Sequence, residues 1–181
     1  MKTFRICAAT LLAVAASGML AVAAEKHGHE ASHESGKNAD FEKIKSLVGD
    51  WQINAAQGEH AMPNGTTSFR LTAGGSAVVE TVFKGTEHEM TTVYFVDKDG
   101  LGLTHYCILG NQPRMRAEAT TAPDTIVFKC HKADNAAIEG DDHMHQATFK
   151  FIDPNHVKEE WVLYSGGKPQ GAHGFEIVRK K

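Results

Sequence analysis

His143 and His145 stand two residues apart in "GDDHMHQATFKFIDPN" (Gly140–Asn155), just ahead of an alternating Phe149-Lys150-Phe151 pattern. On an extended strand, residues two apart share a face and lie about 6.6–6.8 Å apart, so the two imidazoles can converge on one ion. His105, in another segment, is a candidate third ligand, with Cys107 or Glu159 as a fourth or in support. Three histidines suit zinc or another borderline metal. The same side chains also suit a ligand pocket. There His105, Cys107, His143, His145 and Glu159 would orient a partly polar guest against the aromatic walls of Phe149 and Trp161. A third reading is a self-satisfied polar network at the mouth of a barrel.

These readings depend on strand parity. In His143–Ile152 one face carries His143, His145, Ala147, Phe149 and Phe151, and the other carries Lys150, so the histidines are expected on the core side. Leu101, Leu103, His105 and Cys107 form a second inward set, and Val157, Glu159, Trp161 and Leu163 a third. Buried polar groups without partners cost roughly 1–3 kcal/mol each. These must therefore satisfy one another, water, a metal or a ligand. Glu80, Arg70, Arg114 and Arg116 are expected as cross-strand pairs on the outer face, and Trp51 as a plug at one barrel end.

The elements that position them are mostly strands. "DFEKIKSLVG" predicts a short helix, with Asp40 as N-cap, Phe41, Ile44, Leu47 and Val48 at helical spacing, and Gly49 as the stop. Ten strands are then expected: 50–55, 66–72, 76–83, 89–96, 101–108, 114–120, 125–130, 143–152, 156–164 and 172–179. Turn signals such as "DKDG" and "DPN" separate them, and Asp99-Gly100 is a hairpin cue. Short strands at this spacing with local connections predict an all-β, closed antiparallel up-and-down β-barrel, because closure removes exposed edges.

The N-terminus has Lys2 and Arg5, an uncharged run from Ile6 to Val22, and small residues at Ala21–Ala24. That order predicts a cleavable signal peptide over 1–24 and an exported protein, periplasmic or extracellular, with no membrane span after processing. Residues 25–39 carry His27, His29 and His33 without periodicity and are expected as a flexible linker, with the barrel domain over 40–181. The net charge of −3 gives no electrostatic reason to bind nucleic acid. Cys107 and Cys130 invite a disulfide, but segments two strands apart in a meander usually miss the approach of about 7 Å that one requires. No G-x-S-x-G, P-loop or Rossmann fingerprint is present. A His105–Cys107 nucleophile pair would point its side chains in parallel and lacks a third, orienting group. The residues speak for binding rather than catalysis.

"LVGDW" (Leu47–Trp51), directly after a short helix, resembles the G-x-W opening of lipocalin-like (calycin) barrels. "EMTTVYFVDKDGLGLTHYCILGNQPRM" (Glu89–Met115), "HMH" (His143–His145) and "EEWVLYSGGK" (Glu159–Lys168) resemble a family of exported bacterial proteins with a lipocalin-like domain of unknown function. The resemblance implies a barrel of about ten strands with an internal cavity for a small hydrophobic or amphipathic molecule. A more distant similarity runs to nitrobindin-like barrels, which hold haem through a histidine near the C-terminus. That similarity would assign the role to His173, although the glycine-rich sequence after the tryptophan is replaced here by "WQINAAQ".

Overall fold

The computed structural model of the chain describes residues 38–55, 64–136 and 139–181. The expected signal peptide, 1–24, and the His-containing tract as far as residue 37 lie outside the described residues. Among the described residues one α-helix, α1 (Ala39–Ser46), precedes ten strands: β1 (Gly49–Ala55), β2 (Gly65–Thr72), β3 (Ala77–Val82), β4 (Met90–Asp97), β5 (Gly100–Tyr106), β6 (Gln112–Glu118), β7 (Thr125–Asp134), β8 (His143–Asp153), β9 (His156–Ser165) and β10 (Lys168–Arg179). Each strand pairs antiparallel with its neighbour in sequence, and β10 returns to β1, which closes the barrel. The predicted fold class is the one observed. No helix among the described residues is long and apolar enough to cross a membrane.

The helix starts earlier than expected. Asn38, not Asp40, is the N-cap: its backbone is extended, and its side-chain oxygen accepts from the Phe41 amide at 3.0 Å. Asp40 sits in the first turn instead, where it pairs with Lys43 at 2.7 Å and complements the helix dipole. Phe41, Ile44 and Leu47 point into the core, while Val48 is left exposed.

Helix α1 folds over the end of the barrel where β1 begins and β10 ends. Trp51 is wholly buried there, and its indole N–H donates to the Leu47 carbonyl at 2.7 Å. The Arg179 guanidinium lies 4.2 Å from the Trp51 ring and donates to the carbonyls of Ser46 and Val48. Gly49 sits at φ 132°, and a side chain on it would meet the Arg179 guanidinium at 2.9 Å, so the G-x-W turn requires glycine there. The expected plug is in place, and the last strand locks it.

Alternation fills the interior. Val78 and Val82 on β3, Tyr94 on β4, Leu103 on β5, Met115 on β6, Phe128 on β7, Phe149 on β8, Val157 on β9 and Ile177 on β10 are all buried. Tyr94, Phe128, Phe149 and Trp161 stack edge to face or tilted, with centroids 5.9–6.2 Å apart, across the middle of the lumen. On the outer wall Arg114 pairs with Asp134 at 2.7 Å and Arg116 with Asp97 at 2.5 Å, as expected of those arginines, and Arg70 is exposed.

Candidate functional site

A cavity of about 30 Å³ lies at the end of the lumen away from α1, beside Val82 at the end of β3, Met90 at the start of β4 and Met144 near the start of β8. Its polar lining is Glu80, His105, Glu159 and His173, and its apolar lining includes Phe83, Trp161 and Phe175. The sequence implied a lumen that encloses a whole guest. The aromatic stack fills most of that space, and the remaining void holds a couple of water molecules or a group of similar size.

Glu80 corrects the expectation of an outer-face residue. Parity places it with Val78 and Val82, and it is 1% exposed. Thr67 donates to one carboxyl oxygen at 3.0 Å and Tyr94 to the other at 2.7 Å. Burial pushes its pKa up to about 7, and those two hydrogen bonds pull the other way. Glu159 is buried from the opposite side of the ring. The Trp161 indole N–H lies 3.4 Å from one of its oxygens, and the other, Oε1, is buried without a hydrogen-bond partner. Burial first, and then the nearby charge of Glu80, hold its carboxyl well above the ordinary carboxylate range. Both effects favour its protonated form, which can donate as well as accept.

His105 points inward as expected. Its Nδ1 is 2.9 Å from the Thr92 hydroxyl, and its ring lies 4.7 Å from that of Trp161. Burial depresses its pKa to about 4, so the ring is neutral at physiological pH. The cavity's polar groups thus sit among aromatic and thioether side chains.

The expected trio of His105, His143 and His145 is not the group that comes together. Among the described residues, Cys130, His143 and His145 bring ligand atoms within 4.8 Å of one another, and His105 stays with Trp161 in the cavity. Parity was right for Ala147 and Phe149, which are buried; His143 is buried too, but beyond the bulge its neighbour Met144 takes the cavity side. His145 and Phe151 are half-buried because β8 bulges between Met144 and Gln146 and again between Phe151 and Asp153. Cys107 is buried at the end of β5, away from the cavity lining, and burial raises its thiol pKa. Both Cys107 and Cys130 are free thiols, so the disulfide alternative falls. Phe149 forms part of the aromatic floor rather than the cavity wall.

Glu80, Cys130 and the apolar lining residues Phe83, Met90, Met144 and Phe175 were not among the expected site residues. The signal for Glu80 was its alternation with Val78 and Val82. Cys130 gave less: β7 runs four residues past its predicted end, and a bulge beside His131 leaves Cys130 opposite the buried Met115. As for haem, His173 does line the cavity, but the enclosed space falls far short of a porphyrin, so these residues do not fit the group.

No protein-family model and no curated protein matches the chain. Among solved structures it is similar to Rv2717c from M. tuberculosis, at 15% identity and a TM-score of 0.55, over 80% of this chain and 99% of that one. It also aligns with a redesigned β-barrel at 12% identity and a TM-score of 0.33, over 76% and 93%. The first likeness is one of fold: a closed antiparallel barrel. The second carries no weight.

Proposed function

We propose that this protein is an exported lipocalin-like barrel, periplasmic or extracellular, that binds a small amphipathic molecule at the lumen end away from α1. The observation that carries the reading is Glu159 Oε1, a buried polar atom without a partner in a residue that lines the cavity. An unsatisfied buried group of this kind costs roughly 1–3 kcal/mol, which a guest's hydroxyl or carbonyl would recover. The cavity admits a head of a few heavy atoms, hydrogen-bonded to Glu159 and flanked by His105 and Trp161. The apolar remainder of the guest would lie along Met90, Met144, Phe83 and Phe175 toward the mouth. The leader-like N-terminus supports export, and the mild acidity argues against nucleic acid as a partner.

Trp161 is a built-in reporter, because the chain's other tryptophan, Trp51, is sealed at the opposite end. Titration with butanol or butanone should change the emission of a Trp51→Phe variant saturably, with propane-sized alkanes much weaker. A linear or absent response to every polar guest would overturn the reading.

A further inference from the structure

We propose that Cys130, His143 and His145 form a binding site for one zinc-type divalent metal ion, separate from the lumen cavity. Cys130 comes from β7 and the two histidines from the start of β8. Regular β7–β8 pairing runs as far as Lys129 opposite Gln146 and then stops, so the three residues lie just past the last paired rung. Bulges at His131 on β7 and His145 on β8 break the alternation there and re-aim the side chains, as bulges commonly do beside sites.

The geometry suits a shared ion. The three ligand atoms lie within 4.8 Å of one another, and His143 Nε2 is 3.0 Å from His145 Nδ1. Two nitrogens on a tetrahedral zinc, each about 2.0–2.1 Å from it, stand about 3.3 Å apart, so the imidazoles need to part by only a few tenths of an ångström. His143 is oriented from behind: its Nδ1 lies 2.8 Å from the Asp141 carbonyl, which can only accept, so Nδ1 carries the proton and Nε2 the lone pair. Tyr164 stacks on the His145 ring at 4.0 Å and 18°, which fixes that plane too. One thiolate and two imidazoles select zinc or its borderline neighbours over calcium or magnesium. Binding exchanges the Cys130 S–H bond for a sulfur–metal bond and releases one proton, with no redox change. Three protein ligands leave a fourth position open to water or an exogenous ligand.

The test uses untagged protein, stripped with a chelator and titrated with cobalt(II) as a spectroscopic stand-in and then with zinc against a chromophoric chelator. The expected result is one equivalent of metal and a thiolate-to-cobalt charge-transfer band. Cys130→Ser should abolish the band and weaken zinc binding by about tenfold or more, and His145→Gln should weaken it similarly. Both positions are half-buried, so thermal melts of the stripped variants should match the parent and exclude misfolding. His105→Ala should leave the metal stoichiometry unchanged. Absence of the band, or zinc binding retained in the Cys130→Ser/His145→Gln double variant, would overturn the proposal. Neither outcome affects the cavity reading, which Trp161 emission reports separately.

Discussion

Glu80 and Glu159 enter the lumen from strands across the ring from each other, and the charge of Glu80 helps to raise the pKa of Glu159. The folded protein holds Glu80 at about 7, against an ordinary value of 4.5. A carboxyl raised in this way binds its proton more tightly folded than unfolded. Its contribution to stability is therefore complete below about pH 4.5 and is lost as pH rises through 7. His105, depressed to about 4, acts with the opposite sign: its contribution is present above 6.5 and is lost as pH falls through 4.

Comparison with Glu80→Gln removes the histidine from the difference, since both proteins carry it. Relative to the parent, the variant should be more stable at pH 8 than at pH 5 by about 3 kcal/mol, an order-of-magnitude figure at 1.36 kcal/mol per pKa unit. Urea unfolding of both proteins at the two pH values measures it. A difference that does not move with pH would show that Glu80 is not buried as a near-neutral acid.

Glu159→Met separates binding from stability. Removing a buried oxygen without a partner should leave the fold as stable or more so at pH 8, while affinity for a small alcohol or ketone falls about tenfold. Glu160, the adjacent exposed residue, provides the control: Glu160→Gln should change neither quantity. Loss of stability and affinity together in Glu159→Met would assign Glu159 a purely structural role.

Arg179→Ala removes the cation over Trp51 and two hydrogen bonds to carbonyls around the end of α1. Denaturation should show a loss of about 1–3 kcal/mol, with faster amide exchange confined to α1 and the start of β1. Arg179→Lys should recover little of it, because one ammonium cannot stack on the ring and reach both carbonyls.

Phe149 and Phe151 share a face on an ideal strand but differ here, the first wholly buried and the second half-buried beside a bulge. Phe149→Ala should cost about 3–5 kcal/mol, the usual range for a large aromatic in a packed core. Phe151→Ala should cost clearly less. Equal losses would mean that β8 runs straight to its end.

That pair also marks where the sequence stops being readable. Strand existence followed from alternation and turn chemistry, and all ten strands formed within a few residues of their expected bounds. Parity also placed His105, Glu159 and Trp161 inside correctly, whereas beyond the bulge at His145 it is Met144 and not His143 that lines the cavity. Glu80 was legible by the same rule, since Val78 and Val82 flank it at the right period; only its charge argues for the outer face. Cys130 was not legible. Its place beside the histidines depends on two bulges and on where β7–β8 pairing ends, and neither leaves a periodic trace.

The most direct measurement is a crystal structure of the protein grown with bromopropanol, with bromine located by anomalous scattering. Bromine density is expected among Met90, Met144 and Phe175, with the hydroxyl oxygen within hydrogen-bond distance of Glu159 Oε1 and the density lost in Glu159→Met. Bromine found only on the outer wall, with the lumen end unchanged, would contradict the cavity reading.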